Sequence, residues 1–320
     1  MNSSKNNLRT EDISPLVSMR KLEFILGFKR ETFRKVASDT DSYYHPFDDH
    51  KNGKTRHIDN PTGVLKKIQG RIHERILRNI QLPEGMMGGV IGKKAKDNAG
   101  VHVGQPVVVT MDLRNCFPRI KDKVIFKVFR EYLRCSEEIS KLLTRITTYK
   151  TRLPQGAPTS TILANLALSP MFREMKKIAS SKRLLLTQWV DDITLSGSGA
   201  DKLVGVFIKI IQKHGHAVRH KKVKVMRQNE RQEVTGIVVN KKQAASRTRV
   251  KTYKDAIFNL ARKRGSVTEK ELASILGKIE FIRGVNPNQA KELVKLALAN
   301  LPLNEKTKRK FLNEIHQFNS

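Results

Sequence analysis

The chain has 320 residues, enough for a large buried core and for two or three subdomains. Its 62 Lys and Arg against 30 Asp and Glu give a formal charge of +32, which favours a polyanionic partner, above all nucleic acid, and disfavours self-association. Two cysteines support neither a disulfide framework nor a cysteine zinc site. With no long apolar run and no signal-peptide core, we expect a cytosolic protein that makes no membrane contact.

The N-terminal 50 residues predict a polar lead-in with one or two short helices between Ser14 and Val36, followed by a turn-rich stretch from Asp39 to Asn52. Next, apolar residues recur at helical spacing, with Lys and Arg off that stripe, and predict a helix with one buried and one cationic face: Leu65, Ile68, Ile72, Ile76 and Ile80. Residues 88–94 contain three glycines and two lysines but lack the spacing of an ATP-binding phosphate loop. We interpret them as a glycine-rich loop beside a polyanion.

Three carboxylates follow at predicted strand ends. Residues 107–111 form an apolar run that stops at Asp112, while residues 184–187 and 193–196 predict a hairpin whose tip carries Asp191 and Asp192. Adjacent aspartates alone are commonly a solvated turn. A third carboxylate at a strand end makes a divalent metal site for nucleotidyl transfer the better interpretation, since Mg²⁺ prefers oxygen ligands.

The C-terminal third is cationic and then helical. Between residues 219 and 264 there are fifteen Lys and Arg against three acidic residues. Thr268 and Glu271 predict a capping box ahead of an amphipathic helix that reaches Ile282. Two more helices are predicted near residues 288–299 and 305–318, and together they would form a helical C-terminal subdomain.

The order of the motifs resembles that of reverse transcriptases over roughly residues 54–240. Phe117 follows Asp112 by five residues, a Leu-Pro-Gln-Gly-Ala-Pro-Thr-Ser loop at 153–160 precedes a helical run, and the Asp-Asp hairpin comes last. Asn98-Ala99-Gly100-Val101-His102 and Val234-Thr235-Gly236 resemble elements of bacterial retron reverse transcriptases. The resemblance implies an α/β (α+β) right-hand polymerase with fingers, a palm of antiparallel sheet and helices, and a helical thumb.

Site residues follow from the same resemblance. Asp112, Asp191 and Asp192 would be catalytic and would bind two Mg²⁺ ions, replaceable by Mn²⁺, with the Leu113 backbone as a further ligand. The nucleotide would contact Phe117, which would clash with a 2′-hydroxyl, together with Gln155, Gly156, Arg56 and Lys222. RNA would contact Asn98, His102, Val234, Thr235, Gly236, Arg247, Arg249 and Lys251, although a buried structural role for Asn98 and His102 is an open alternative.

The chain also departs from the family pattern at five positions. Trp189 stands where Tyr is usual, Val190 where Ala is usual and Gln188 where Arg is common. Arg219 and Val223 replace the more usual Asn and Thr. The first departure bears on primer positioning and fidelity. The last two weaken the assignment of Lys222.

The resemblance implies a lead-in over residues 1–50, fingers and palm over 51–240, and a thumb and RNA-binding subdomain over 241–320. The bacterial, cytoplasmic enzyme would copy part of a cognate non-coding RNA with deoxynucleoside triphosphates, starting from the 2′-hydroxyl of a guanosine. The product would be branched, single-stranded, multicopy DNA. A role in antiphage defence with a separate effector protein is implied.

Three alternatives remain open at this point. A group II intron or diversity-generating reverse transcriptase is the nearest, although an intron enzyme would be expected to carry a further domain. The others are a catalytically silent RNA-binding scaffold, which has no need of all three carboxylates, and a metal-dependent nuclease, which leaves Phe117 and the Pro-Gln-Gly loop unexplained.

Overall fold

The computed structural model describes residues 15–51, 53–263 and 267–303, together with 305, 308, 309 and 311. The helix predicted over 305–318 therefore lies largely outside the described residues. No helix in the described part of the chain combines the length and apolar character needed to cross a bilayer.

The described residues form helices and short strands in a mixed order. The helices are α1 Met19–Leu26, α2 Arg30–Ser38, α3 Gly63–Ile72, α4 Ala95–Gly100, α5 Cys116–Arg119, α6 Asp122–Lys127, α7 Glu137–Thr147, α8 Ser160–Ser181, α9 Val204–Lys213, α10 Arg247–Ala261, α11 Glu269–Val285 and α12 Pro287–Asn300. The strands are β1 Phe47–Lys51, β2 Lys54–Ile58, β3 Val107–Asp112, β4 Leu185–Trp189, β5 Asp192–Ser196, β6 Lys224–Arg227, β7 Glu233–Val234, β8 Ile237–Val238 and β9 Ala244–Ala245.

The strands form three sheets. β1 and β2 pair antiparallel, with Asp49 opposite Arg56. A four-stranded sheet has the order β4-β5-β3-β6, and β7, β8 and β9 form an antiparallel three-stranded sheet. The predicted α+β class with antiparallel sheet is confirmed. β1 corrects one prediction, because its residues fall within the stretch that we expected to be turn-rich: the polar sequence Asp-Asp-His lacks the alternation that marks a half-buried strand.

Contacts divide the chain into two compact units. The first comprises Met1–Lys93, Thr110–Leu195 and Lys202–Val223, and the second comprises Lys94–Val109, Ser196–Asp201 and Lys224–Ser320. Neither is continuous in sequence. The division into lead-in, fingers with palm, and thumb stays a prediction.

In the first unit the predicted cationic helix is confirmed as α3, which continues into a π-helical turn over His73–Leu77. Its apolar stripe is fully buried from Leu65 to Ile76, whereas the predicted Ile80 lies beyond the helix and is only half-buried. α3 packs on α1 and α7. The longest helix, α8, contacts α5, α6, α9 and β4. Since α8 begins just after the Pro-Gln-Gly loop and packs on the strand that leads to Asp191, it supports both predicted parts of the site.

In the second unit the helices α10, α11 and α12 pack around one apolar cluster that includes Ile257, Ile279 and Leu293. The predicted capping box opens α11: the Thr268 hydroxyl accepts the Glu271 N–H at 3.3 Å, and the Glu271 carboxylate accepts the Thr268 N–H at 3.0 Å. The short helix α4 contacts β7 and β8 beside a second apolar cluster.

Candidate active site

The tip of the β4–β5 hairpin is a strained two-residue turn. Val190 has a φ of +57°, which a β-branched residue rarely adopts. The side chain of Gln188, almost fully buried, holds this conformation, because its Nε2 donates to the Val190 carbonyl at 2.7 Å. The turn thereby presents Asp191 and Asp192 at a fixed place.

A glycine presses against the same turn. A Cβ added to Gly88 would lie 2.5 Å from the Val190 N and 2.6 Å from its Cγ2, so only glycine fits. The Gly88 carbonyl accepts from Asn165 Nδ2 of α8 at 2.7 Å, and the preceding residues pair with the backbone of Gln188. The packing of Gly88 leaves untested the prediction that the loop of residues 88–94 runs beside a polyanion. Gly88 itself serves close packing on the turn.

Main-chain hydrogen bonds bring Asp112 to this turn. The Leu113 N–H donates to the Asp191 carbonyl at 2.9 Å, and the Arg219 N–H donates to the Asp112 carbonyl at 2.9 Å. Asp112 itself is buried at the end of β3. The three predicted carboxylates therefore come from segments that are joined through their backbones.

Two cationic side chains contact the Asp112 carboxylate. Lys222 Nζ lies 2.6 Å from Oδ2, and Arg219 Nε lies 3.1 Å from Oδ1. The first contact is a hydrogen bond, whereas the second has only the distance of an ion pair, and Oδ1 is buried without a hydrogen-bond partner. The predicted contact of Lys222 with the nucleotide stays a prediction, since its ammonium here binds Asp112.

Burial, together with neighbouring negative charge, raises the pKa of both turn aspartates. Burial first, and then the charge of Asp112, raises the pKa of Asp191. Although Asp192 is exposed at the rim, desolvation by its surroundings, followed by the charges of Asp191 and Asp112, raises its pKa to about 6. A divalent cation would relieve both effects. The oxygen-only donors and the unbonded Asp112 Oδ1 thus fit a hard ion.

Within the described ranges, no three His, Cys, Asp or Glu side chains are already grouped as a ready set of metal ligands. Asp112 is paired with Arg219 and Lys222 instead. Joint coordination by the three aspartates stays a prediction, and it requires Asp112 to exchange partners.

A buried carboxylate that sequence reasoning missed anchors the Pro-Gln-Gly loop. Asp59, just after β2, is fully buried and forms a two-pronged ion pair with Arg152 at 2.8 and 3.1 Å. It also accepts the Gln155 N–H at 3.0 Å, and its own N–H donates to the Gln155 carbonyl at 2.8 Å. At Gly156, φ is +128° and an added Cβ would lie 2.8 Å from Ile58. Little in the local sequence marks Asp59, because its hydrogen-bond partners Arg152 and Gln155 lie more than 90 positions away, while its neighbour His57 approaches only to 3.6 Å.

Two further predicted nucleotide contacts lie in the first unit. Phe117 is half-buried on α5, two residues after Asn115, whose φ is +50°. It is therefore not an ordinary core residue. Arg56 is exposed on β2. Both side chains are accessible to a ligand, but their contacts with a nucleotide stay predictions.

The predicted RNA contacts of Asn98 and His102 are wrong for the side chains as they stand, because both are fully buried. His102 Nδ1 lies 2.7 Å from the Ser196 hydroxyl. The Asn98 amide atoms have no hydrogen-bond partner among the described residues. The open alternative, a structural role within the second unit, agrees with this burial.

The Val-Thr-Gly element is likewise internal. Val234 is fully buried, the Thr235 hydroxyl donates to the Ala95 carbonyl at 3.1 Å, and Gly236 accepts from Arg249 at 2.7 Å. Arg249 also lies over the Phe281 ring at 5.1 Å. Burial thus argues against direct RNA contact by Val234, and Thr235, Gly236 and Arg249 are engaged internally. Of the predicted RNA-binding set, Arg247 and Lys251 are exposed.

The model of one protein family, reverse transcriptase (RNA-dependent DNA polymerase), matches residues 48–243, which contain the three aspartates, Phe117 and the Pro-Gln-Gly loop. The chain belongs to this family. Its predicted activity as an RNA-directed DNA polymerase, with the right-hand polymerase fold, is therefore confirmed at the level of the family, whose members generally use divalent metal ions.

Comparison with individual relatives shows which kind of reverse transcriptase the chain is similar to. The Retron Ec86 reverse transcriptase of Escherichia coli is 29% identical over 271 residues, which are 82% of this chain and 83% of that protein. The Retron Se72 reverse transcriptase of Salmonella heidelberg (strain 579083-10) is 30% identical over 185 residues, 57% of this chain and 49% of that protein. The predicted resemblance to retron enzymes is confirmed. Among solved structures, apo telomerase from Candida tropicalis shows 12% identity and a TM-score of 0.49, covering 90% of this chain and 66% of that chain.

Proposed function

We propose that Asp112, Asp191 and Asp192, with the Leu113 backbone as a further ligand, hold two Mg²⁺ ions, for which Mn²⁺ can substitute. The observation that carries this is the backbone linkage of the Asp112 strand to the Asp191 turn beside an unbonded, buried carboxylate oxygen. When bound, the metal would neutralise triphosphate charge and activate the attacking hydroxyl. The protein's own part is to keep three carboxylates in register through bonds that do not involve their side chains.

The incoming deoxynucleotide would lie between these carboxylates and the Asp59-anchored loop, against Gln155 and Gly156. Arg56 would bind the triphosphate, since a guanidinium matches phosphate oxygens with paired donors. Phe117 would exclude ribonucleotides by occupying the space of the 2′-hydroxyl. Replacing Phe117 with Val should then increase ribonucleotide incorporation relative to deoxynucleotide incorporation, whereas unchanged discrimination would remove this role.

The template would be a cognate structured RNA, held largely through its phosphates by the cationic surface that includes Arg247 and Lys251. Its partial copy would be single-stranded multicopy DNA joined to the RNA through a guanosine 2′-hydroxyl. Support comes from the formal charge of +32 and from relatives that are named retron reverse transcriptases. A separate effector protein and a role in antiphage defence complete the proposal.

The test is deoxynucleotide incorporation on RNA transcribed from the flanking locus, with Mg²⁺. The parent should synthesise DNA that stays attached to the RNA and loses that attachment when the 2′–5′ linkage is cleaved. An Asp191→Ala/Asp192→Ala variant should bind the RNA without extending it. Glu137→Ala/Glu138→Ala, which removes two adjacent exposed carboxylates from α7, is the matched control and should remain active.

Each contrary outcome has one meaning. Synthesis on a primed generic template without any branched product would favour a diversity-generating type of enzyme. Binding without synthesis on any template would favour a scaffold. Synthesis by the double variant would refute the proposed metal site.

A further inference from the structure

The pairing of Asp112 with Arg219 has a consequence for metal binding, given the metal site proposed above. Arg219 is held at the end of β3 by its own backbone, which donates to the Asp112 carbonyl at 2.9 Å. Its side chain then returns to the same residue, with Nε 3.1 Å from Oδ1. Arg219 is thus fixed beside one carboxylate by both its main chain and its side chain.

The two cations on Asp112 differ in how firmly they are bound. Lys222 forms a hydrogen bond of 2.6 Å with Oδ2, while Arg219 reaches Oδ1 without hydrogen-bond geometry. The Arg219 side chain is 42% exposed, compared with 12% for that of Asp112. Oδ1 is therefore the carboxylate oxygen that gives up the weaker interaction when it changes partner. The exposed Arg219 side chain can move into solvent.

A divalent ion and a guanidinium compete for the same lone pairs of Oδ1. An ion that binds Oδ1 must displace Arg219, and the displaced cation remains tethered by its backbone next to the site. A nucleotide triphosphate brings new negative charge to that place. The uncharged Asn that is more usual at this position in the resembling family could not act as this counterion.

We infer that Arg219 is a substrate-binding residue that exchanges partners during each catalytic cycle. It neutralises Asp112 before metal binds, yields Oδ1 to the metal, and then contacts the triphosphate of the incoming nucleotide. Arg219 therefore weakens the binding of metal alone and strengthens the binding of nucleotide. The two effects have opposite signs, which a merely structural residue would not produce.

The experiment uses the full chain and two readouts. Mn²⁺ affinity is measured without nucleotide from the free-ion EPR signal, and the KM for deoxynucleotide is measured on a primed RNA template. For Arg219→Gln we expect a Kd for Mn²⁺ about two- to fivefold lower and a KM about two- to fivefold higher, as suits a partly exposed ion pair. Arg219→Lys, which keeps the charge, should lie near the parent in both.

Arg183→Gln is the matched control, since it removes one exposed arginine charge from the α8–β4 connection. It should change neither quantity. Asp112→Asn should weaken Mn²⁺ binding, which would show that the measured Mn²⁺ binding occurs at this site.

An unchanged Kd for Arg219→Gln, or a Kd and KM that move in the same direction, would overturn the inference while leaving an active polymerase in place. A parent that does not polymerise, together with an Asp112→Asn variant that binds Mn²⁺ normally, would instead refute the proposed metal site.

Discussion

Replacing Gly88 with Ala should impair catalysis by displacing the turn that carries Asp191. The added Cβ would lie 2.5 Å from the Val190 N and 2.9 Å from the Trp189 carbonyl carbon, whereas ordinary contact begins at 3.4 Å. The turn must therefore move by roughly 1 Å, which is typical of overpacking that costs about 1–3 kcal/mol of unfolding free energy. A shift of that size at reacting groups lowers the rate roughly 100-fold.

The assay is single-nucleotide incorporation at saturating deoxynucleotide, accompanied by a thermal melt. Gly70→Ala is the matched control, because Gly70 lies inside α3 and an added Cβ would meet no atom within 4 Å. That control should keep its activity and gain about 0.5–1 kcal/mol of stability, since alanine favours the helix. A Gly88→Ala variant with the parent's rate would refute the proposed support of the turn.

The other predictions concern stability and reactivity. Asp59→Ala leaves Arg152 without its buried partner, and we expect a loss of about 3–5 kcal/mol in urea unfolding together with a higher KM for nucleotide; an unchanged midpoint would show that the ion pair is not structural. Thr268→Ala removes a capping box and should lower the free energy of unfolding by about 1 kcal/mol in the same measurement. An unchanged free energy of unfolding would contradict the stabilising role of this cap. Burial raises the pKa of Cys116 to about 12 and that of Cys135 to about 11, so both thiols are protonated at pH 8. Iodoacetamide should then label neither until urea unfolds the chain, and rapid labelling of the native protein would contradict this burial.

The elements that the sequence predicted well are those with a strong local period. The apolar stripe of α3, the strands that end at Asp112 and flank Asp191, and the cap of α11 each depend on residues close in sequence. Their positions were therefore accessible without any structure.

The parts that were missed depend on distant residues or on burial. Asp59 meets Arg152 across 93 positions and Gly88 meets the Val190 turn across about a hundred, so no local pattern marks either pair. Asn98 and His102 were assigned to RNA from the family resemblance, which left a buried structural role open and does not by itself show burial. The packing of α4 on β7 and β8 placed them inside instead, and only the tertiary structure could reveal this.

The joints that align the three aspartates are main-chain bonds, from Leu113 to Asp191 and from Arg219 to Asp112. Replacing an aspartate side chain leaves these main-chain hydrogen bonds in place, so an inactive chain should keep its fold and its affinity for RNA. Produced together with the active enzyme in one cell, an Asp191→Ala chain should occupy the shared template and suppress DNA synthesis in proportion to its abundance. Loss of activity at this site would then be genetically dominant.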